Sequence, residues 1–313
     1  MNRLKNNKRI KQLKQAIKKS SFYYFGFYLK EQYWKRLVSK DIIAATKKVY
    51  KKKMHTELDL ENPRLLNEKV QYLKLNDYLN NSLITQLADK YDVREYIKNK
   101  GLEFLLNDIY GVYDSIEQLN WDVLPTKCAI KCTFGAGRNI IIDDKTQFDE
   151  RKVKKLLRCY LNVPFGYSSV QPHYLSMERR YIVEKYIGND LGEYPVDYKI
   201  FCMNGTPKFV EVCLARKTDM QPVFFDINWN YLDVATRKAN LNEEQLQEMK
   251  PVTFENMIKY AQILSKDFKF VRVDFFEYGN TTYFSELTFT PAAGMSKTMT
   301  LEGQELFGNA LEI

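Results

Sequence analysis

The sequence predicts an α+β protein, with strands packed against helices, that begins with a basic helical segment. Short runs rich in β-branched and aromatic residues follow one another from Cys128 onward, while helical spacing of apolar residues dominates the chain before it. The 313 residues are 45% hydrophobic, so the chain can bury a large core. These observations exclude a disordered or fibrous protein.

The elements follow from local spacing. Helices are predicted at residues 65–83, 87–99, 148–161 and 243–268. Strands are predicted at residues 128–132, 139–142, 181–187, 198–203, 208–214, 270–276 and 282–287. The last two strands form a hairpin through the turn Tyr278-Gly279-Asn280. Changes of character divide the chain into a basic segment (1–60), a helical or α/β subdomain (61–126), a small subdomain (127–190) and a larger one (191–313).

The positive charge is concentrated at the amino terminus. Residues 1–54 hold 17 Lys or Arg against Glu31 and Asp41, although the whole chain has a net charge of +9. Apolar residues recur at helical spacing through residues 4–19, and aromatic residues follow at 22–28. Two interpretations stay open: an amphipathic helix on an anionic membrane surface, or a solvated helix whose aromatic side chains pack on the body. Nucleic acid is not an expected partner, because the rest of the chain is acidic and carries no recognisable binding motif.

The chain shows no run of eighteen apolar residues and no secretory signal, so we expect it in the cytoplasm, free or peripheral at the inner face of the membrane. Its five cysteines lack a C-x-x-C pair. They are expected to be small buried hydrophobic residues in a reducing compartment rather than disulfides or zinc ligands.

A glycine loop follows the first predicted strand. Lys131 ends that strand, and Gly135, Ala136 and Gly137 form the loop before the next one. Backbone amides in such a loop can hold phosphate oxygens, and the lysine adds a point charge. The alternative is a hairpin turn that needs glycine for its geometry alone.

Acidic residues are predicted to face each other on the last two strands. Alternation places Arg272 and Asp274 on one face, and Glu286 and Thr288 on one face of the neighbouring strand. Two carboxylates and a hydroxyl suit Mg²⁺, which completes its shell with phosphate oxygens and water. The alternative is a salt bridge between Arg272 and these acids. A third segment, residues 180–187, is a strand that carries Glu184 near its end.

Taken in this order, the segments resemble the ATP-grasp superfamily, and specifically its TupA-like (teichuronopeptide-biosynthesis) branch, over residues 60–300. The matching motifs are residues 67–77, 88–94, 131–137, 183–187, 197–199 and 225–229. The resemblance implies a bacterial enzyme in which two α+β subdomains grip ATP, with residues 127–190 as the small, lid-bearing subdomain and 191–313 as the core with the metal site.

The resemblance also implies roles for single residues. Arg94 and Lys131 would contact the α- and β-phosphates, and Gly135, Ala136 and Gly137 would close over the triphosphate. Glu184 would bind the ribose or the adenine edge, and the backbone of Lys185, Tyr186 and Ile187 would contact adenine.

The catalytic and metal roles fall on the second half of the chain. Lys199 would reach the γ-phosphate and Arg272 would stabilise the transferring phosphoryl group. Asp274 and Glu286 would hold Mg²⁺, with Thr288 where many ATP-grasp ligases have asparagine. Backbone amides around Gly294 and the hydroxyl of Ser296 would bind the substrate carboxylate, and residues 164–176 would form a lid.

The implied function is an ATP-dependent carboxylate–amine ligase that forms an amide through an acyl phosphate. Its substrates would belong to a capsular, teichuronic or other cell-surface polysaccharide, with an amino acid joined to a hexuronic acid or polyglutamyl chain. The alternatives are a glycosyltransferase of the same pathway, although the chain has no Asp-x-Asp motif, and a non-catalytic glycan- or nucleotide-binding protein.

Overall fold

The fold, seen in a computed structural model, is described for residues 21–188, 195–214 and 221–313. The basic amphipathic helix expected at residues 4–19 lies outside the described residues. No helix in the described part of the chain is long and apolar enough to cross a membrane.

Two antiparallel sheets form the centre of the molecule. The small sheet contains β1 (Ile109–Tyr113), β2 (Cys128–Cys132), β3 (Asn139–Ile142) and β4 (Tyr181–Lys185) in the order β1-β4-β2-β3. The large sheet contains β5 (Asp197–Met203), β6 (Thr206–Leu214), β7 (Gln221–Asp226), β8 (Tyr231–Leu232), β9 (Phe270–Tyr278) and β10 (Thr281–Thr288) in the order β10-β9-β5-β6-β7-β8. The mixture of helices and antiparallel sheets is the predicted α+β class.

Helices flank both sheets. They are α1 (Ser21–Lys40), α2 (Ile42–Met54), α3 (Leu66–Asn76), α4 (Ser82–Ala88), α5 (Val93–Asn99), α6 (Glu150–Asn162), α7 (Glu243–Glu248), α8 (Phe254–Ser265) and α9 (Leu301–Asn309). Several begin at a side chain that accepts a hydrogen bond from a free backbone N–H of the first turn, as Asp41 does for α2 and Asp149 for α6.

Helices α3, α4, α5 and α8 and both sheets share one continuous hydrophobic core. A second, smaller core lies where α1 and α2 dock. Trp34 and Tyr50 pack there with Val170 and with Ala293 and Met295, which follow β10. The amino-terminal helices are therefore attached next to the end of strand β10.

Three predicted helices are wrong in extent. The stretch 243–268 is two helices, α7 and α8, because Pro251 between them has no backbone N–H and cannot continue a helix. The stretch 65–83 ends at Asn76, and Asn81 starts α4 by accepting hydrogen bonds from Leu83 and Ile84. The stretch 87–99 is interrupted because the Asp89 side chain accepts hydrogen bonds from the backbone N–H groups of the next turn.

All seven predicted strands are confirmed, with ends within two residues of the prediction, and β2 and β3 have the predicted bounds. Strands β1, β7 and β8 were not predicted. β1 contains Gly111 and lacks a clear polar–apolar alternation, β7 contains Pro222, and β8 has two residues. The predicted turn between β9 and β10 is confirmed, with Gly279 and Asn280 both in the left-handed region.

Candidate active site

A row of charged side chains crosses the large sheet. Glu286 on β10 is paired with Asp274 on β9, Asp274 with Lys199 on β5, and Lys199 with Glu211 on β6. Arg272 and Thr288 form the next pair on the same face, two residues along their strands. Directly opposed residues share a face of the sheet, so the predicted facing of Arg272, Asp274, Glu286 and Thr288 is confirmed.

Arg272 binds Asp274 through two hydrogen bonds. Its Nε lies 2.7 Å from Oδ1 and its Nη2 lies 2.5 Å from Oδ2. Burial raises the pKa of Asp274 to about 6 although Arg272 opposes that change, and the nearby charge of Glu286 adds to the increase. The salt bridge that the sequence left as an alternative is therefore present.

Glu286 has different partners. Its Oε2 lies 3.3 Å from Nζ of Lys90, and its Oε1 accepts a hydrogen bond from the Thr288 hydroxyl at 3.1 Å. Burial would raise the pKa of Glu286, but Lys90 and then Arg272 outweigh it and lower this pKa to about 2. The sequence motif at residues 88–94 contains Lys90, yet nothing in the motif alone assigned it to the acidic pair.

Lys90 also connects the large sheet to the glycine loop, because its Nζ donates to the carbonyl of Gly135 at 2.9 Å. Gly135 and Gly137 both have φ values in the left-handed region, at 74° and 73°. A Cβ at Gly135 would lie 2.7 Å from the ring of Phe165, whereas Ala136 and Gly137 are exposed. Both backbone conformation and close packing therefore require glycine at position 135.

A cleft between the two sheets contains the predicted phosphate-binding cations. Lys131 and Glu184 face each other from β2 and β4 with 2.5 Å between Nζ and Oε2, and Arg94 lies beside them. The guanidinium of Arg94 donates to the Asn107 carbonyl at 2.8 Å. Burial lowers the pKa of Arg94, and the charge of Glu184 opposes that change. Phe276 and Phe284 from the large sheet complete the wall.

The segment after β4 lies at the rim of this cleft. The backbone N–H of Lys185 donates to Asp108 at 2.9 Å, and its carbonyl accepts from the Asn107 side chain at 2.8 Å. Tyr186 and Ile187 follow as half-buried residues. The backbone of Lys185 therefore already has protein partners.

Lys199 is held by groups on β6. Its Nζ lies 3.6 Å from Glu211 and donates to Sγ of Cys213 at 2.9 Å. Burial and Arg272 lower the pKa of Lys199, but Glu211, Cys213 and Asp274 together outweigh them, so the net shift is upward and the lysine is cationic. Sequence reasoning missed Glu211, although the period-two alternation of β6 places it on the same sheet face as Cys213.

Gly294 and Ser296 lie against helix α3. The Ser296 hydroxyl is 2.8 Å from that of Thr298, and its backbone N–H donates to Asn67 at 3.0 Å. Gly294 is buried with φ at 68°, and a Cβ there would lie 2.9 Å from the Gln71 side chain. Both substrate-binding candidates are therefore positioned by α3.

The acidic pair suits Mg²⁺. In the described part of the chain no three or more His, Cys, Asp or Glu residues form a metal-binding group. Mg²⁺ needs only one or two protein carboxylates when phosphate oxygens and water fill its shell. Asp274 and Glu286 are paired on adjacent strands, and the Thr288 hydroxyl lies 3.1 Å from Glu286 on the same face. Asp274, Glu286 and Thr288 thus fit such an ion.

Residues 164–176, the segment predicted to form a lid, contact the glycine loop. Phe165 touches Gly135 and packs edge-on against Tyr174, with 5.2 Å between ring centroids. Burial raises the pKa of Tyr174, and the charge of Glu286 raises it further, so this ring lies near the acidic pair. The segment is anchored by a 2.8 Å hydrogen bond from Thr290 to Gln171.

The chain is similar to D-alanine–D-alanine ligase from Bacillus anthracis complexed with ATP (15% identity, covering 71% of this chain and 60% of that one, TM-score 0.41). It is also similar to D-alanine–D-alanine ligase from Helicobacter pylori (15% identity, covering 72% of this chain and 59% of that one, TM-score 0.39). A third similar structure is the ATP-grasp ligase PsnB complexed with a phosphomimetic variant of minimal precursor, Mg and ADP (10% identity, covering 75% of this chain and 57% of that one, TM-score 0.39).

The chain spans about three fifths of the length of these solved structures. No curated protein matches it. The sequence model of the TupA-like ATP-grasp family matches residues 68–312, which include all the predicted site residues from Arg94 to Ser296. The chain belongs to the TupA-like ATP-grasp family.

Proposed function

We propose that the protein is an ATP-dependent carboxylate–amine ligase that forms an amide through an acyl phosphate. One observation carries this proposal: the large sheet bears a row of charged side chains, and the protein also has a cleft with cationic side chains. The row consists of Glu286, Asp274, Lys199 and Arg272, and the cleft contains Arg94 and Lys131. Phosphoryl transfer depends mainly on positioning and on neutralising charge, and this arrangement supplies fixed groups for both.

The cleft between the sheets would hold the nucleotide. Arg94 and Lys131 would bind the α- and β-phosphates, and Lys131 would exchange its contact with Glu184 for a phosphate oxygen. Glu184 would then be free to bind the ribose or the adenine edge. Backbone contacts to adenine would come from the segment Lys185, Tyr186 and Ile187, chiefly from the last two because Lys185 already has partners. Gly135, Ala136 and Gly137 would close over the triphosphate.

The large sheet would carry out the transfer. Lys199 would bind the γ-phosphate, and Arg272 would stabilise the charge on the phosphoryl group as it moves to the substrate carboxylate. Asp274, Glu286 and Thr288 would hold Mg²⁺, which when bound neutralises phosphate charge. Thr288 donates to Glu286, so it also orients that carboxylate.

The transfer makes the carboxylate reactive. A carboxylate resists attack by an amine because an oxide would have to leave, whereas an acyl phosphate releases phosphate. Such an intermediate hydrolyses in water, so residues 164–176, which pack against the glycine loop, would act as the lid. The turn at Gly294 and Ser296 would bind the substrate carboxylate.

The finer proposal concerns the substrates. The acid and the amine would belong to a cell-surface polysaccharide, with an amino acid joined to a hexuronic acid or to a polyglutamyl chain. The reaction would take place in the cytoplasm. The basic amino-terminal region supports this proposal, since it suits a polyanionic acceptor or an anionic membrane surface.

The test is product analysis. Purified protein with Mg-ATP is incubated with hexuronic acids and amino acids, and in a parallel sample with nucleotide-sugar donors. ADP, AMP, phosphate and nucleotide diphosphates are measured. The proposal predicts ADP and phosphate in amounts that require both an acid and an amine, and loss of both products in Glu286→Ala. Nucleotide diphosphate released from a sugar donor would instead identify a glycosyltransferase, and no turnover or Mg-ATP binding would leave a binding protein.

A further inference from the structure

Helix α3 presents three buried polar side chains on one face. Asn67, Gln71 and Lys74 are four and three residues apart, which is the spacing of one helix face. Asn67 exchanges two hydrogen bonds with the backbone of Ser296. Gln71 donates to the carbonyls of Ala293 and Gly294 at 2.9 and 2.8 Å. The first two side chains thus hold the turn that follows β10.

The third side chain, Lys74, is different. It has 0% exposed surface, and among the described residues its Nζ has no hydrogen-bond partner. Burial lowers the pKa of Lys74 to about 7, and the charge of Lys53 lowers it further. An unpaired ammonium inside a protein is strongly unfavourable, so a missing anionic partner is the simplest reason for a lysine at this position.

Other unsatisfied polar atoms lie close by. Oε1 of Gln71 and Nδ1 of His173 are buried and have no partner in the described part of the chain. Lys74 is near enough to His173 for its charge to lower the pKa of that imidazole. His173 belongs to the lid segment and is buried beside Thr290. The unsatisfied groups therefore come from α3 and the lid, on the side where the turn after β10 begins.

Exposed lysines surround the same turn. Nζ of Lys53 lies 3.4 Å from the carbonyl of Ala292. Burial lowers the pKa of Lys53, and the charges of Lys297 and Lys30 lower it further, so these three cations stand close together. They come from α2, from the segment after the turn and from α1. The rim above Lys74 is consequently a concentrated positive surface.

The turn has a strained backbone at two residues. Ala292 and Ala293 have φ values of 48° and 61°, which are unfavourable for residues with a Cβ. Alanine gains no side-chain hydrogen bond that would offset this strain. Strained backbone of this kind is held by its surroundings and has lower-energy conformations available. Because Lys74 has no exposed surface, a ligand can reach it only if a neighbouring segment shifts.

We propose that Lys74, with Lys53, Lys297 and Lys30 at the rim, binds a carboxylate of a polyanionic acceptor substrate. The inference rests on the proposed ligase function and names the substrate class: a chain or sugar that carries several carboxylates, one of which enters the buried site. A carboxylate has one negative charge, which matches the single buried ammonium and forms a neutral pair. A phosphate dianion would leave excess charge in the interior. The three lysines at the rim suit further carboxylates along the same molecule.

Calorimetric titration of the full chain tests the proposal, with penta-L-glutamate and D-glucuronate as probes. We expect binding by the unaltered protein and at least tenfold weaker binding by Lys74→Met. Lys69→Met on the same helix is the matched control, because Lys69 already donates to the Leu311 carbonyl, and it should bind the probes normally. Lys53→Gln with Lys297→Gln is a surface variant that should fold normally and bind the probes more weakly.

Thermal unfolding separates a binding role from a structural one. A lysine kept for binding lowers stability in the empty protein, so Lys74→Met should unfold at a higher temperature than the unaltered chain. A lower unfolding temperature, equal probe affinity in Lys74→Met, or no binding of either probe by the unaltered protein would overturn the inference. Inorganic phosphate that competes as well as the carboxylates would also overturn it.

Stabilisation by Mg-AMPPNP is measured on the same samples. If the unaltered protein and Lys74→Met are stabilised equally while their probe affinities are the same, the carboxylate site is refuted and the nucleotide site stands. If the nucleotide does not bind to the unaltered protein, the ligase function itself is refuted.

Discussion

Two carboxylates on adjacent strands have opposite electrostatic environments. Glu286 is compensated by Lys90 and its pKa is about 2, whereas burial raises the pKa of Asp274 to about 6 against the effect of Arg272. The alternation of β9 and β10 was enough to predict that these side chains share a face. Lys90 could not be predicted, because it reaches the pair from a different region of the chain and only the tertiary structure brings it there.

Removing the counter-charge of Glu286 should impair turnover. Lys90→Met loses the ion pair with Glu286 and the hydrogen bond to Gly135. A hydrogen bond to a charged group contributes about 1.5–3 kcal/mol, so we expect kcat/KM for ATP to fall roughly 10- to 100-fold. The measurement is steady-state ADP formation. Lys98→Met, an exposed lysine on α5, is the control, and an equal loss in both variants would contradict the assignment.

His173 should make stability depend on pH. Burial lowers its pKa from 6.5 to about 3, so below pH 6.5 the unfolded chain binds a proton that the folded protein does not. Stability from this group is therefore complete above pH 6.5 and is lost as the pH falls toward 3, by about 1 kcal/mol per pH unit. Urea unfolding at pH 7 and 5 should show a smaller decrease for His173→Gln than for the unaltered protein. Equal decreases would refute this role.

At the scale of elements, the sequence predicted the strands that carry the site better than the helices around them. Cys128–Cys132 and Asn139–Ile142 have the predicted bounds because glycine marks the turn between them. The helix breaks at residues 77–81 and 89–92 depend on local side-chain hydrogen bonds that apolar spacing does not report. The edge strand β1 has no sequence signature of its own and is defined by its pairing with β4.

The glycine loop permits a sharp test of packing. Gly135→Ala places a Cβ 2.7 Å from the Phe165 ring at a φ of 74°, whereas Gly101→Ala has nearly the same φ and no atom within 4 Å. Both variants lose about 1–2 kcal/mol from the left-handed conformation, but only Gly135→Ala also moves the loop or the lid. We expect a raised KM for ATP in Gly135→Ala and an unchanged KM in Gly101→Ala. Equal KM values would refute the loop's role in nucleotide binding.

At the scale of the whole molecule, the order of motifs was enough to identify the family, whose model begins at residue 68. The docking of α1 and α2 against residues 164–176 and the turn after β10 was not predicted. It depends on a second core that combines Trp34 and Tyr50 with Val170 and Met295, residues far apart in the sequence. Buried Glu31 strengthens the attachment by accepting hydrogen bonds from the backbone of Tyr167 and Ser168 in the lid segment.

One experiment distinguishes the two interpretations of the basic amino-terminal segment, which are membrane binding and packing on the body of the protein. Deleting residues 1–20 removes eight Lys or Arg, each worth about 1 kcal/mol near an anionic bilayer. If the segment binds membranes, sedimentation with phosphatidylserine vesicles should fall at least tenfold while the unfolding temperature stays the same. Unchanged sedimentation with a lower unfolding temperature would show that the segment packs on the body instead.

The central claim is that ATP phosphorylates a carboxylate. The direct measurement uses the acid substrate labelled with ¹⁸O in its carboxylate, together with the amine and Mg-ATP, followed by mass analysis of the released phosphate. The account predicts that one labelled oxygen appears in each phosphate formed with an amide, since the acyl phosphate transfers that oxygen when phosphate leaves. Unlabelled phosphate, or AMP with pyrophosphate, would contradict the acyl-phosphate mechanism.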